Sequence, residues 1–303
     1  MSVPLLRTRD FTKNFPNNRG VGPIDLELEP GIHGLVGPNG SGKTTFVKTL
    51  LGFYEPTAGR AELLGLDTRR DLLNVRRRVG YMAENDVIVP GLNAVQTVRL
   101  AGELCGVPSV HAHEAAAEAM HAVGLGDERF HNPARLSTGQ RQKVKLAAAL
   151  VHAPEVLFLD EPTNGLDPRA RVEFMELVRE LADEKHMSIL LSTHILPDME
   201  RLCEQAIVLR QGRLVAVEHV KHRSVLEAGK NTWYTVQVIQ NEDAFLAACR
   251  KKWEVDIGSE VRIAAPTPLA VMQTAQKVGA VMAGIRPATI GVEDAVLAHM
   301  EDA

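Results

Sequence analysis

Hydrophobic and polar positions change period several times along the chain, and each change marks an element. Ile24, Leu26 and Leu28 alternate with Asp25, Glu27 and Glu29, the two-residue period of a half-solvated antiparallel edge strand. Residues 3–8 read as a companion strand, and Lys13-Asn14-Phe15-Pro16-Asn17-Asn18 as a loop with an exposed aromatic. Ile32 to Val36 is a continuous apolar run, as expected for a buried strand, and Phe46 to Leu51 begin a helix. A turn at residues 54–59 leads to a short strand over Ala61 to Leu64. Arg78 to Met82 is a further strand, followed by the loop Ala83-Glu84-Asn85-Asp86.

From about residue 92 to 152 alanine, glutamate and histidine rise and β-branched residues thin out. Val95, Val98, Ala101 and Leu104 are spaced for one helix face, and Glu114 to Val123 for a second helix. This is a helical insertion in an otherwise α/β chain. Ser137 followed three residues later by Gln140 predicts a capping box opening a third helix. Val156 to Leu159 is apolar throughout, the mark of a parallel strand buried on both faces, and it runs into Asp160-Glu161. Asp167-Pro168 supplies an N-cap and a first-turn proline for a helix burying Phe174, Leu177, Val178 and Leu181. Ser188 to Ser192 is the next strand, ending at Thr193-His194; strands 205–210 and 213–217 are joined by Gln211-Gly212.

After about residue 222 the pattern predicts a small α+β domain. Its expected elements are strands at 232–239, 261–264 and 280–285, a helix at 242–252, a helix presenting Leu269, Met272 and Ala275, and a last helix at 292–300.

Candidate chemistry concentrates at Gly37-Pro38-Asn39-Gly40-Ser41-Gly42-Lys43-Thr44-Thr45, which fits the phosphate-binding G-x-x-x-x-G-K-[ST] pattern between a strand and a helix. Its glycines let successive N–H groups turn inward, and the helix N-terminus adds partial positive charge. Lys43 is placed to reach β- and γ-phosphates and the Thr44 hydroxyl to ligate Mg²⁺. Two adjacent carboxylates, Asp160 and Glu161, closing a buried strand are costly unless they serve a cation or a proton. Ligands in open α/β sheets lie off the carboxyl ends of the strands, which puts His194 in the same place. His111, His113, His121 and His131 have no carboxylate or cysteine at ligand spacing and read as a solvated helix surface.

The 303 residues carry a net charge of −4, which gives no basic face for nucleic acid. Cys105, Cys203 and Cys249 are in no metal spacing and read as reduced cysteines of a cytoplasmic protein. The N-terminus lacks a signal-peptide pattern, and no apolar run approaches the ~20 residues needed to span a bilayer. A membrane pore is therefore not expected from this chain alone.

With these residues in view, residues 3–220 resemble the ATP-binding cassette (ABC) ATPases, because a series of separated motifs stands in that family's order. Phe15 sits where the family stacks an aromatic on adenine, and residues 37–45 match the Walker A loop. Glu84 occupies the Q-loop position, Leu136-Ser137-Thr138-Gly139-Gln140 is similar to the family signature LSGGQ, and 156–161 match Walker B with Glu161 as catalytic carboxylate. Asn164-Gly165-Leu166-Asp167 resembles the D-loop and His194 the switch histidine. The resemblance implies a P-loop fold: a mixed-sheet core, an antiparallel β subdomain and an inserted helical subdomain at about 86–152. It would occupy residues 1–221, with an accessory α+β domain at 222–303. It also implies ATP and Mg²⁺ as ligands, with Thr44, Glu84 and Asp160 toward the metal. Two copies would pair head to tail, so that ATP on the loop of one meets Ser137 and Gly139 of the other, with Thr138, Gln140 and Asp167 also counted among the nucleotide-binding residues. Catalysis would fall to Glu161, His194 and Lys43. Two departures stand out: Thr138 replaces the usual signature glycine, and Glu84 the usual glutamine.

Gly291-Val292-Glu293-Asp294-Ala295-Val296-Leu297 looks like the "LEDVFL" ending of ABC-2-type exporter ATPases. Two function classes stay open. One is the motor of a transporter whose permease is a separate chain, acting at the cytoplasmic face of the membrane. The other is a non-transport cassette ATPase acting on DNA or the ribosome. One cassette, no heptads and an acidic balance favour the first.

Overall fold

The computed structural model describes residues 3–16, 19–85, 89–220, 232–257 and 261–287. The chain divides into two compact units, one holding the described residues up to Val220 and the other those from 232 to 287.

In the first unit, β1 (Leu6–Asn14) and β2 (Gly20–Leu28) pair antiparallel. The predicted alternation holds: Ile24, Leu26 and Leu28 are buried, the acidic residues between them are exposed, and β2 is a sheet edge. Strand β3 (Ile32–Val36) leads into helix α1 (Lys43–Leu50), after which β4 (Ala58–Leu63) and β5 (Leu66–Asp67) complete a four-stranded sheet of order β2-β1-β4-β5. Helix α2 (Leu72–Arg78) runs directly into β6 (Val79–Met82). Only Val75 of α2 is buried, so its arginine-rich sequence carries no apolar period, and the strand predicted from Arg78 starts one residue later.

Three helices follow: α3 (Ala94–Leu104), α4 (Ser109–Ala122) and α5 (Thr138–Leu150). Val95 and Val98 are buried on α3, but Leu104 is 80% exposed. Its place on the buried face goes to Gly102, which lies against Val151 and Val107. Then come β7 (Val156–Asp160), α6 (Pro168–Lys185), β8 (Ser188–Thr193), α7 (Leu196–Leu202), β9 (Gln205–Arg210) and β10 (Arg213–His219). They build a six-stranded sheet of order β10-β9-β3-β8-β7-β6, parallel except for the β9–β10 hairpin. Strands β3, β7 and β8 are buried at every position, as their unbroken apolar runs require.

A single core cluster ties the two sheets together. Phe11 and Ile24 come from the antiparallel sheet, Phe158, Leu190 and Ile207 from the parallel one, and Phe46, Val47 and Leu50 from α1. Phe46 meets Phe11 edge-on, with centroids 6.0 Å apart. The packing of α1 fixes the loop before it, and sheet register does the rest. Val36 pairs with Thr193 and Asp160 with Ser192, so the carboxyl ends of β3, β8 and β7 emerge side by side.

The second unit runs β11 (Thr232–Gln240), α8 (Glu242–Arg250), β12 (Val255–Ile257), β13 (Val261–Ala265), α9 (Pro268–Lys277) and β14 (Val281–Pro287). All pairs are antiparallel in the order β12-β13-β11-β14, the ferredoxin-like β-α-β-β-α-β arrangement. The buried face of α9 is Val271, Thr274 and Ala275, while Leu269 and Met272 are more than half exposed. The sequence offers two apolar stripes that share Ala275, and the stripe carrying β-branched Val271 is the one that packs. The last predicted helix and the exporter-like ending at 291–297 lie outside the described residues.

Gly80 shows how tightly β6 and α5 meet: a Cβ there would lie 2.3 Å from the Ala149 carbonyl oxygen and 3.0 Å from Leu157. Because the closest atom is helix backbone, Gly80→Ala is expected to destabilise the fold by about 1–3 kcal/mol. A lowered urea midpoint at unchanged m-value checks this.

Candidate active site

The loop between β3 and α1 needs its glycines. Gly40 and Gly42 have φ of +82° and +105°, values side chains resist. A Cβ on Gly42 would also strike Val21 at 2.4 Å, whereas one on Gly40 would meet nothing within 4 Å. Helix α1 starts without a side-chain cap, Gly42 being its N-cap, so its first amides are offered to whatever the loop encloses. The Ser41 hydroxyl is buried within this loop and makes no hydrogen bond. An orphaned buried hydroxyl beside uncapped amides fits a loop shaped for an anion such as a phosphate.

Lys43 is buried, donates to the Gly37 carbonyl at 2.8 Å and lies 3.4 Å from Glu161 Oε1. The other Glu161 oxygen, Oε2, is 2.9 Å from His194 Nδ1. A carboxylate this buried is stable only with such partners. Glu161 is also a non-glycine residue at φ +48°, a strained conformation of the kind that collects at functional sites. Its N–H donates to the Ser192 carbonyl at 3.0 Å. Asp160 accepts from the Thr44 hydroxyl at 3.1 Å, from the Tyr81 phenol at 3.3 Å and from the Ser192 hydroxyl. Burial, followed by the Asp160 charge, pushes the Tyr81 phenol well above its ordinary range, so it stays a donor. Thr44 beside Asp160, with their oxygens converging, is a donor set suited to a hard cation.

Ser41, Lys43, Thr44, Glu161 and His194 line one cavity of about 1320 Å³, together with Phe15, Glu84, Asn39 and Thr45, and Asp160 stands behind this wall, bonded to Thr44. Phe15 packs edge-on against Tyr54 at 5.3 Å, with the Lys13 ammonium 5.0 Å from its ring. Glu84 is anchored at both ends: its carbonyl accepts from buried Lys145 at 2.7 Å and its carboxylate from Asn164 at 3.3 Å. Arg19 and Arg213 add positive charge to the wall. Sequence reading did not identify Tyr81, Ser192, Arg19 or Arg213, and it placed Asn164 only within the D-loop resemblance. The first two reach Asp160 from neighbouring strands, through a pairing that no local pattern announces.

Eight sequence-predicted residues are not part of this wall: Gly37, Pro38, Asp160, Ser137, Thr138, Gly139, Gln140 and Asp167. Ser137, Thr138, Gly139 and Gln140 open α5, where the capping box forms as expected: Ser137 Oγ accepts from Gln140 N at 3.2 Å and Gln140 Oε1 from Ser137 N at 3.0 Å. They adjoin the 164–167 loop, with a Gly165 Cβ placed 3.5 Å from Thr138 Cγ2. Asp167 caps α6 by accepting from Arg169 and Ala170 amides, each at 3.0 Å. Pro38 supplies a carbonyl to the Ser41 amide. His111, His113, His121 and His131 are exposed.

A second cavity, of about 530 Å³, is apolar and lies between β6 and the helices, walled by Phe53, Tyr81, Leu100, Leu104, Val144 and Lys145 among others. A third hollow of about 890 Å³, at Tyr54, Arg60, Asp67 and Arg69, satisfies its charges locally, as in the Arg69–Glu55 pair at 2.8 Å, and assembles no reactive group.

Comparison with known proteins agrees with this geometry. The ABC transporter family profile matches residues 21–164. The bacitracin transport ATP-binding protein BcrA of Bacillus licheniformis is 33% identical over 73% of this chain and 72% of its own length. The daunorubicin/doxorubicin resistance ATP-binding protein DrrA of Streptomyces peucetius is 34% identical over 70% of this chain and 64% of its own. The Nod factor export ATP-binding protein I of Cupriavidus metallidurans is 34% identical over 70% of each. Among solved structures, an ATP-binding subunit of an ABC transporter superposes with TM-score 0.61 at 28% identity, over 71% of this chain and 90% of that one. A dimeric ATP-binding cassette bound to ADP and Pi shares the fold at TM-score 0.63 and 23% identity, over 72% of this chain and 100% of that one. The chain belongs to the ABC transporter family as one of its ATP-binding, ATP-hydrolysing subunits.

Glu84 adds a negative charge to a wall that must accept a polyphosphate. Glu84→Gln keeps an oxygen to accept from Asn164 and removes that charge. ATP affinity in the presence of Mg²⁺, by isothermal titration, is therefore expected to be unchanged or tighter by up to about tenfold. A large loss would contradict this.

Proposed function

We propose that this family member is the motor subunit of an ABC exporter: it hydrolyses ATP in a head-to-tail pair of copies at the cytoplasmic face of the membrane and drives a separate transmembrane permease. The observation that carries the enzymatic part is the convergence of Lys43, Thr44, Glu161 and His194 on one cavity at the mouth of the glycine loop, with Asp160 bonded to Thr44 behind it.

In this reading the amides of residues 39–45 and the Ser41 hydroxyl cradle the phosphates, and adenine stacks on Phe15. An incoming phosphate competes with Glu161 for the Lys43 ammonium, now 3.4 Å away. Glu161 is thereby released to orient and deprotonate the attacking water, while His194 holds its second oxygen and contacts the γ-phosphate. Thr44, Asp160 and Glu84 would hold Mg²⁺, which when bound neutralises developing charge on the phosphate oxygens. The rest is positioning and charge stabilisation by fixed groups. Ser137 and Gly139 at the start of α5 are outside the cavity of their own chain. They serve the second copy, presenting a helix N-terminus to its γ-phosphate, with Thr138 contributing through its backbone and Gln140 locking the cap. Asp167 fixes the loop that crosses between copies.

The transport half rests on the relatives, which include a bacitracin transport protein and a Nod factor export protein, and on the apolar cavity. Among the described residues no helix is long and apolar enough to cross a membrane. The cavity at Phe53, Leu100 and Leu104, next to Glu84, would receive a cytoplasmic helix of the permease; the 80% exposure of Leu104 is then explained.

Glu161→Gln is expected to lower ATP turnover by about 10²–10⁴-fold while retaining ATP affinity. Tagged Glu161→Gln protein, loaded with ATP and Mg²⁺ in detergent-solubilised native membranes, should co-purify a multi-spanning membrane protein. Recovery of ribosomes or DNA-processing proteins in its place would overturn the transport reading.

A further inference from the structure

Asp198 is an ionisable group that the scheme above leaves unused, and it is almost wholly buried, 3% exposed on α7. Its Oδ2 accepts the hydroxyl of Thr163 at 2.6 Å, and Thr163 is itself 1% exposed. The Arg171 guanidinium of α6 stands 3.7 Å from the same oxygen. Burial pushes the Asp198 carboxyl up, and the Thr163 bond and Arg171 pull it back. Thr163 lies two residues after Glu161, and Asp198 four residues after His194. The Asp198 N–H bonds the Ile195 carbonyl at 3.2 Å, and His194 returns to Glu161 at 2.9 Å.

Hydrogen bonds and short stretches of chain together close a ring: Glu161 through the chain to Thr163, Thr163 to Asp198, Asp198 to Ile195, and its chain neighbour His194 back to Glu161. We propose that Asp198, through Thr163, is a positioning residue for ATP hydrolysis, clamping the loop that follows Glu161 to the segment that follows His194 so that the Glu161–His194 pair keeps its geometry. Physical need supports this. Glu161 sits at φ +48°, a conformation that persists only where the surroundings over-determine it. The loop after Glu161 turns on sparse backbone bonds, Asn164 N to Glu161 O at 3.2 Å and Leu166 N to Thr163 O at 3.1 Å. A hydrogen bond to a buried carboxylate is among the stronger restraints available. Arg171 makes the restraint tripartite by bringing in the helix that follows the loop. An alternative is that Asp198, in the first turn of α7, merely favours that short helix through its dipole. That role does not need the Thr163 hydroxyl.

The proposal rests on the roles given above to Glu161 and His194, and the test separates the two. In the full-length protein with ATP and Mg²⁺, Thr163→Val keeps the shape and removes the hydroxyl. It should lower kcat by about tenfold, the scale expected for a small misplacement of a reacting group, with ATP affinity within about twofold. Thr163→Ser should recover most of the turnover. Thr163→Val and Asp198→Asn together should be no slower than the slower single variant, because they break the same link. Four results would each overturn the proposal: undiminished turnover in Thr163→Val, failure of serine to rescue, multiplying losses in the double variant, or an affinity loss matching the turnover loss. If Asp198→Asn does not fold, the valine and serine variants decide by themselves. If Glu161→Gln leaves turnover intact, the assignment of Glu161 fails; if Glu161→Gln is inactive and Thr163→Val turns over as fast as the unaltered protein, the clamp alone fails.

Discussion

The structure depends on placing two carboxylates at the end of a strand buried at every position. Asp160 and Glu161 leave β7 almost fully covered, 1% and 7% exposed. Uncompensated, each charge would cost several kcal/mol on the scale of about 3–5 measured when one partner of a buried pair is removed. Compensation comes from all sides. Lys43 and Thr44 arrive from the start of α1, Ser192 from β8 and Tyr81 from β6, and His194 follows β8. Each partner is delivered by parallel pairing, because register brings the carboxyl ends of β3, β8 and β7 to one edge. The glycine loop and the acidic strand end are thus halves of one electrostatic solution. A phosphate can enter by exchanging with partners already in place, which is how a stable fold holds a reactive site.

The same economy explains why the helical signature at α5 is elsewhere. Its Ser137–Gln140 capping box is complete and self-contained, so the remaining first-turn amides are held rigidly without help from the chain's own cavity. Glu84 links the regions, tied by its carbonyl to Lys145 of α5 and by its carboxylate to Asn164 of the loop after Glu161. Lys145 also lines the apolar cavity. One polar chain of contacts thus runs from the apolar cavity to the cavity at the glycine loop.

Much of this was legible in the sequence wherever local chemistry is dense. The strand-loop-helix of residues 32–51, the apolar run into Asp160-Glu161, the Ser137 capping box and the Asp167-Pro168 helix start all form as their residue types dictate. The alternation of β2 is read directly as an edge strand. What escaped was short or long-range. Helices α2 and α7 have seven residues each and no sustained apolar period. On α9 two apolar stripes compete, and only packing against β13 and β14 chooses Val271 over Leu269 and Met272. Leu104 looks like core by spacing but opens onto the apolar cavity. Tyr81, Ser192 and Asp198 carry no motif, because their partners are 79, 32 and 35 residues away.

The central claim, that each reactive cavity is completed by the α5 terminus of a second copy, is tested most directly by mixing two inactive chains. One carries Lys43→Ala, which empties the phosphate loop of its cation; the other carries Ser137→Ala with Gly139→Asp, which spoils the helix terminus. Each alone should be unable to turn over ATP. Mixed, they should recover substantial turnover, because the intact loop of one copy meets the intact terminus of the other. Mixtures as inactive as their components, with both chains shown to be folded, would contradict a shared site and place the whole reaction within one chain.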